Sequence, residues 1–149
     1  MKNIVAVIGA STATHEELAI AEEVGLLIAK NGWILVNGGL GGVMEASAKG
    51  AFEAGGIVVG ILPTPATDAA NRFVTIPIAT NMGHARNVII AHTADVLIAI
   101  GGGEGTLSEI AIARKLEKTV FGIKSWEIAG VIKASDAADA IRGCMSVLS

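Results

Sequence analysis

Short runs of consecutive apolar residues recur along the chain, and this pattern restricts the fold more than any other feature. The clearest runs cover residues 4–8 and 96–100, and residues 57–62 and 119–123 are similar. Strands with one face in water alternate apolar and polar residues, whereas unbroken apolar strands are typical of a parallel sheet covered on both faces. Between the runs, apolar residues recur at helical intervals. The alternation predicts an α/β fold, a doubly wound and mainly parallel sheet with helices on both faces.

Capping and turn residues set the bounds of the remaining predicted elements. Thr14-His15-Glu16-Glu17 has the spacing of a capping box and begins a helix that Asn31-Gly32 ends. We also predict strands at residues 33–36 and 73–76 and an edge strand at 128–133. Helices are predicted at 43–54, 84–93 and 110–116, loops at 63–72 and 77–83, and a last helix that Ser135 caps and that runs to about Val147.

The composition is typical of a single cytoplasmic domain. A chain of 149 residues without an internal repeat or linker predicts one domain over residues 1–149. The one cysteine, Cys144, excludes an internal disulfide and suits a reducing compartment. A net charge of −3 and an aromatic content of 3% argue against nucleic-acid binding. Glycines and charges interrupt every apolar stretch before the ~18 residues of a membrane span, so we expect no membrane segment.

Residues 101–109, Gly-Gly-Gly-Glu-Gly-Thr-Leu-Ser-Glu, follow a buried strand and lead into a helix. The start of a helix carries unpaired N–H groups and the positive end of the helix dipole, and glycines let a phosphate approach the bare backbone. Thr106 is expected to cap the helix and to offer its hydroxyl to the phosphate. The alternative is that the glycines only form a tight turn, although three in succession exceed what a turn needs.

Several small-residue turns fall at the same edge of the predicted sheet. Ligands of such sheets sit beyond the carboxyl ends of the strands, where the turns at residues 9–12, 37–42 and 101–106 all lie. We therefore expect a phosphate or nucleotide pocket there. Its predicted ligand-binding residues are Gly9, Ser11, Gly38, Gly39, Gly42, Met44, Gly101, Gly102, Gly103, Gly105 and Thr106.

Two charged residues are candidates for chemistry in this pocket, and each has a structural alternative. Glu109 is one turn into the helix, where it could serve as a general base or, with Thr106, complete a capping box. Arg86 is either a surface helix arginine or a fork that grips a phosphate or pairs with Glu109. His84 and His92 are too far apart on a helix to share a metal, so we expect no metal site and a structural role or a minor ligand contact for His84.

The chain has three motifs, at residues 38–44, 82–87 and 101–109. They resemble those of the Lonely Guy or "putative lysine decarboxylase" group of Rossmann-like proteins, over about residues 3–125. Its short bacterial branch also resembles the molybdenum cofactor carrier protein. Residues 101–109 correspond to the motif P-G-G-x-G-T-x-x-E, with Gly101 in place of proline. Residues 38–44 resemble G-G-x-x-G-x-M, and residues 82–87 resemble M-H-x-R-K, with Gly83 inserted and Asn87 in place of lysine.

The resemblance to the enzymes of this group implies hydrolysis of a nucleoside 5′-monophosphate to a free base and ribose 5-phosphate. Glu109 and Arg86 would then be the catalytic pair, and the glycine turn with Thr106 would hold the 5′-phosphate. The resemblance to the carriers implies instead binding of a phosphate-bearing cofactor without turnover. The expected ligands are an AMP-like nucleotide, phosphate or the molybdenum cofactor, with no required cofactor. Lysine decarboxylation is not expected, because the pocket turns hold no lysine for pyridoxal phosphate.

The resemblance also implies a homo-oligomer, a dimer or a tetramer. The apolar residues Val88, Ile89 and Ile90 on the helix that carries Arg86 are the expected interface. A purely structural oligomer is a third reading of the chain.

Overall fold

The computed structural model describes residues 1–148, which form one seven-stranded sheet with all neighbouring strands parallel and helices on both faces. In chain order the elements are β1 Ile4–Gly9, α1 His15–Lys30, β2 Ile34–Asn37, α2 Val43–Glu53, β3 Val58–Leu62, β4 Ile76–Ala79, α3 Arg86–Thr93, β5 Val96–Ile100, α4 Glu104–Lys115, β6 Thr119–Ile123, β7 Ile132–Lys133 and α5 Ala137–Val147. The strand order is β4-β3-β2-β1-β5-β6-β7, which confirms the predicted doubly wound α/β fold.

Two hydrophobic cores explain why the strands are apolar without alternation. Successive residues of a strand point to opposite faces of the sheet, and helices cover both faces here. Val5 and Val7 of β1 pack with α1, α2 and α5, whereas Ala6 and Ile8 pack with α3 and α4. All five residues of β5 are fully buried. Each side chain of a central strand therefore lies in one core or the other.

The direction of winding reverses at β1, and this places the site. Strand β1 pairs with β2 on one side and with β5 on the other. Gly9 is the register partner of Ile100, so the loops after β1 and β5 leave the sheet side by side. Connections that diverge from such a switch point leave a crevice at the carboxyl edge.

Most predicted helices and strands are confirmed, but the strand predicted at residues 73–76 is wrong. The side chain of Asn71 accepts a hydrogen bond from the N–H of Phe73, which closes a turn where extended backbone was expected. The strand begins at Ile76 and runs into the predicted loop as β4. Pro77 is tolerated because β4 is at the edge of the sheet, where a missing N–H breaks no ladder.

Two predicted helix caps are also wrong. Helix α4 begins at Glu104 with Gly103 as its N-cap, so Thr106 lies inside the first turn. Helix α5 has Asp136 as its N-cap, and the carboxylate accepts from the N–H of Asp139, whereas Ser135 lies one residue before. In contrast, Thr14 and Glu17 form the predicted capping box of α1.

The C-terminal segment forms a shorter edge strand than predicted, and Cys144 is buried in the helix that follows. Only Ile132–Lys133 of the predicted edge strand pairs with β6. Cys144 is a free, buried cysteine of α5, and the cytoplasmic location inferred from it stays a prediction. Within residues 1–148, no helix has the length and apolar character needed to cross a membrane. Ser149 of the predicted domain lies outside the described residues.

Glycines bring helices α1 and α2 into backbone contact. A Cβ on Gly25 would lie 1.9 Å from the carbonyl oxygen of Ser47, and a Cβ on Gly50 would lie 1.9 Å from that of Glu22. Helix α2 starts against the loop after β1, where the N–H of Val43 donates to the carbonyl of Ala10 at 3.1 Å. The close crossing therefore fixes the position of the turn before α2.

Gly25→Ala is expected to lower the free energy of unfolding by about 3 kcal/mol, because the two helix backbones must separate to admit the methyl group. Gly105→Ala in α4 is the matched control, since a Cβ there has no neighbour within 4 Å and alanine favours the helix. Urea denaturation of both variants measures the difference. Equal stabilities would contradict the close crossing.

Candidate functional site

A cleft of about 270 Å³ lies at the carboxyl edge of β1, where the winding reverses. Its walls come from the loop after β1, the turn before α2, the start of α3 and the first two turns of α4. The residues on the walls are Val7, Ile8, Gly9, Ala10, Ser11, Gly38, Leu40, Met44, His84, Arg86, Asn87, Gly103, Gly105, Thr106 and Glu109. Residues far apart in the sequence thus meet where the strand order predicts a ligand site.

The structure brings nine of the thirteen predicted site residues together in the walls of this cleft, including both charged candidates. The four that lie outside its lining are Gly39, Gly42, Gly101 and Gly102. At all four, an added Cβ would lie less than 3.0 Å from a neighbouring atom. A Cβ on Gly42 would lie 2.3 Å from the carbonyl oxygen of Ala10, and one on Gly39 would lie 2.6 Å from the side chain of Leu62. These glycines shape the turn before α2.

The start of α4 offers bare backbone donors to the cleft. Gly103, the N-cap, and Gly105 in the first turn are both exposed and line the cleft. The first N–H groups of a helix have no intrahelical acceptor. Thr14 and Asp136 satisfy such groups in α1 and α5, but no side chain among residues 1–148 caps α4. The positive end of this helix therefore faces open space, which suits an anion.

Arg86 is buried and structurally engaged, not a surface arginine. Its side chain is 7% exposed at the first position of α3. Nε donates to the carbonyl of Ile61 at 2.8 Å, Nη2 approaches the carbonyl of Gly38 at 3.4 Å, and Nη1 donates to the amide oxygen of Asn87. A guanidinium has five N–H donors, so three of these are directed to the protein and two are left for a ligand.

Asn87 helps to hold this arginine. It is 6% exposed, and its side-chain oxygen accepts from Arg86. It stands where the Lonely Guy motif has lysine, so a neutral acceptor replaces a second cation. The cleft thus has one buried guanidinium, with the exposed His84 at its rim.

Glu109 is half-buried on α4 and faces Arg86 across the cleft. Burial raises the pKa of its carboxyl group to about 7, and the positive charge of Arg86 opposes part of that rise. Burial likewise lowers the pKa of Arg86, and Glu109 opposes that change. The capping-box alternative for Glu109 fails because Gly103, not Thr106, is the N-cap. Among residues 1–148, Arg86 and Glu109 do not form an ion pair within 4.0 Å. A ligand bound in the cleft could therefore interact with both side chains.

The loop between β6 and β7 holds the glycine turn from outside, a contact that the sequence did not predict. Ser125 Oγ donates to the carbonyl of Gly101 at 2.7 Å, and Trp126 Nε1 donates to the carbonyl of Gly103 at 3.0 Å. An exposed tryptophan just after a strand is the one signal in the sequence that could have drawn attention to this loop.

Gly101 has a backbone conformation that its motif proline could not adopt. Its φ is +53°, whereas the ring of proline fixes φ near −65°. A Cβ on Gly101 would also lie 1.9 Å from the carboxylate of Glu17. The turn of this chain therefore follows a backbone path that a proline at position 101 could not adopt.

A sequence model of the SLOG cluster4 family matches residues 2–146. The chain belongs to the SLOG cluster4 family. A cytokinin riboside 5′-monophosphate phosphoribohydrolase of Mycobacterium tuberculosis is 38% identical to this SLOG chain over 110 residues, which are 71% of the chain and 59% of that relative. The chain thus spans less than two thirds of the length of this relative.

Two solved structures match this SLOG chain over almost its full length. The molybdenum cofactor binding protein of Rippkaea orientalis has a TM-score of 0.96 and 37% identity, covering 100% of this chain and 99% of that one. The Moco carrier protein of Chlamydomonas reinhardtii has a TM-score of 0.90 and 38% identity, covering 99% and 98%. These matches confirm the resemblance to the Lonely Guy and molybdenum cofactor carrier branch.

The expected interface on α3 of this SLOG chain is only partly exposed, and its potential metal ligands are scattered. Within residues 1–148, no group of three His, Cys, Asp or Glu side chains is placed to hold a metal ion. Of the expected interface residues on α3, Val88 is 40% exposed, but Ile90 is 1% exposed and belongs to the core. Ile90 therefore cannot form an interface, and the homo-oligomer stays a prediction.

The raised pKa of Glu109 predicts a pH dependence of stability. Between about pH 4.5 and 7 the folded chain keeps a proton that the unfolded chain releases, so stability falls as the pH rises through this window. Glu109→Gln removes this loss and is expected to exceed the parent chain by about 2 kcal/mol at pH 8, less than the full shift implies because the group is partly exposed.

Urea denaturation at pH 4.5 and pH 8 measures this effect. The difference between Glu109→Gln and the parent chain should appear at pH 8 and shrink at pH 4.5. Glu104→Gln, which removes an exposed carboxylate from the same helix, is the control. The same pH dependence in all three proteins would contradict a buried, protonated Glu109.

Proposed function

We propose that this chain binds the phosphorylated end of a nucleotide-like ligand in the cleft and releases that ligand intact, as a carrier does. The observation that carries the proposal is the start of α4, where the N-cap is an exposed glycine and the first turn opens into the cleft. Backbone N–H groups at such a helix start bind phosphate oxygens without further side chains. The molybdenum cofactor, which carries a phosphate, is the proposed cargo.

The charges in the cleft suit an anion at neutral pH. Arg86 provides a buried positive charge with two N–H donors free for phosphate oxygens. A charged Glu109 would repel a phosphate by about 4 kcal/mol at 4 Å and an effective dielectric constant of ~20. Because burial raises its pKa to about 7, a large fraction of Glu109 is neutral near pH 7, and the neutral acid donates a hydrogen bond.

The size of the cleft supports binding of one end of the ligand. Its volume of about 270 Å³ lies just below the range of about 300–1,000 Å³ that is usual for whole small-molecule sites. A wider groove of about 700 Å³ between the starts of α1 and α2 shares Ser11 with the cleft. The phosphate would lie at α4, and the rest of the ligand would extend towards solvent or along this groove.

Two observations favour carriage over cleavage. The molybdenum cofactor binding protein of R. orientalis matches the whole chain, whereas the matched segment covers 59% of the M. tuberculosis phosphoribohydrolase. In addition, Asn87 replaces the motif lysine and accepts a hydrogen bond from Arg86. The guanidinium is thereby tied to the protein, and the second cation that could stabilise a leaving group is missing from position 87.

A phosphoribohydrolase acting on nucleoside 5′-monophosphates is the second candidate, and Glu109 is the observation that favours it. A carboxyl group with a pKa of about 7 is suited to take and return a proton near neutral pH. In such a reaction Glu109 would activate water or stabilise a positively charged sugar while the N-glycosidic bond breaks. Arg86 would hold the phosphate.

A ligand panel separates the two candidates. Phosphate, AMP, GMP, CMP and UMP are expected to raise the melting temperature of the chain, and no base or ribose 5-phosphate should be released. Molybdenum cofactor supplied in solution should be retained and passed on to an apo-molybdoenzyme. Release of base that Glu109→Gln abolishes would establish the hydrolase instead, and a panel without any thermal shift would refute the phosphate site.

Gly105→Asp tests where the anion binds. A carboxylate in the first turn of α4 favours the helix but places a negative charge beside the bound phosphate, so affinity for phosphate should fall more than tenfold. Gly105→Ala is the matched control and should bind as the parent chain does, since the site has space for a Cβ. Isothermal titration calorimetry measures both, and retained binding in Gly105→Asp would place the anion elsewhere.

A further inference from the structure

The glycine turn before α4 is held by side chains that do not line the cleft. Two adjacent residues at the end of β6, Ser125 and Trp126, donate to the carbonyls of Gly101 and Gly103, and we call this pair the latch. Ser125 and Trp126 line a separate groove, which shares no residue with the cleft. The latch therefore contacts the turn without lining the cleft.

The geometry of the peptide unit links the latch to the cleft. In a trans peptide, the C=O of one residue and the N–H of the next lie in one plane and point in opposite directions. Fixing the carbonyl of Gly101 towards Ser125 directs the N–H of Gly102 away from the latch. In the same way, fixing the carbonyl of Gly103 towards Trp126 directs the N–H of Glu104, the first donor of α4, away from the latch.

Two backbone hydrogen bonds also hold the turn, from the N–H of Gly101 to the carbonyl of Ile123 and from the N–H of Leu107 to the carbonyl of Gly103, both at 3.0 Å. Gly101 and Gly102 have φ values of +53° and +104°, and glycine crosses between such conformations at low cost. A flip of the peptide between Gly101 and Gly102, next to the wall residue Gly103, would exchange the directions of its carbonyl and its N–H. Ser125 holds the carbonyl of Gly101, which neither backbone bond restrains, and Trp126 adds a second bond to the carbonyl of Gly103.

We propose that Ser125 and Trp126 are positioning residues that orient the glycine turn so that its N–H groups face the bound phosphate. This proposal rests on the proposed phosphate site. Neither residue touches the ligand; each acts through a backbone carbonyl of the turn.

The latch is itself anchored to the start of α1. Lys124, with a φ of +50°, forms an ion pair with Glu16 at 3.0 Å between Nζ and the carboxylate oxygen. The next residue of α1, Glu17, packs against Gly101. The starts of α1 and α4 and the end of β6 thus meet around the glycine turn, which keeps the latch in register with it.

The latch also supplies a spectroscopic signal. The chain has two tryptophans, and Trp33 precedes β2 at the opposite, amino edge of the sheet. In a Trp33→Phe background, the emission of Trp126 reports the hydrogen bond to Gly103. Phosphate binding at the other side of that peptide is expected to shift this emission.

Trp126→Phe and Ser125→Ala test the proposal, since each removes one hydrogen-bond donor and keeps most of the side chain. The dissociation constant for phosphate, measured by calorimetry, is expected to rise about five- to tenfold in each variant, the effect of about one hydrogen bond. Amide hydrogen exchange at residues 101–105 should become faster in the absence of phosphate. Trp33→Phe and Ser146→Ala, which removes a helical serine bond to the carbonyl of Gly143, are the controls.

The outcomes separate the two proposals. Weaker phosphate binding in the latch variants, at melting temperatures equal to those of the controls, supports the latch. If the parent chain binds phosphate and both latch variants bind it equally well, the latch is refuted and the phosphate site stands. If the parent chain itself binds no phosphate, both proposals are refuted.

Discussion

The pairing of β1 with β5 is the contact on which the rest of the molecule depends. The chain winds outward in opposite directions from these two parallel strands, and Gly9 and Ile100 end them at the same level. The loop after β1 must turn to α1 on one face, while the loop after β5 must turn to α4 on the other. The gap between these loops is the cleft, so its place follows from strand order before any side chain is considered. Arg86 and Glu109 then enter it from α3 and α4.

The fold could be predicted from the sequence because its signals are local. Unbroken apolar runs such as Val96–Ile100 mark strands buried on both faces, and Thr14 with Glu17 marks the start of α1. The errors arose where several local signals competed. Thr106 and Ser135 are good capping residues, but the caps are Gly103, three residues before Thr106, and Asp136, one residue after Ser135. Likewise, because Asn71 forms a turn, β4 begins at Ile76 and not at residue 73 as predicted.

The site was predicted in part, for the same reason. Motif residues placed Arg86, Glu109 and the glycine turn at one edge of the sheet, and the structure brings them into one cleft. What a spacing pattern cannot show is which glycines serve packing and which lie on the wall: Gly39 and Gly42 accommodate neighbouring atoms, whereas Gly103 and Gly105 are open. A spacing pattern also cannot show long-range contacts such as that of Trp126 with Gly103, because the two residues meet only when the chain is folded.

The conformation of Gly101 and its contact with Glu17 restrict which residues position 101 can accept. A proline at this position would need a negative φ in place of +53° and would need the carboxylate of Glu17 to leave the space it occupies. Glu17 is also the second half of the capping box of α1, so its replacement would weaken that helix start as well. A single mutation therefore cannot restore the motif proline in this chain. Gly101 and Glu17 are thus structurally coupled in this chain, and a proline at position 101 would require a change at Glu17 as well.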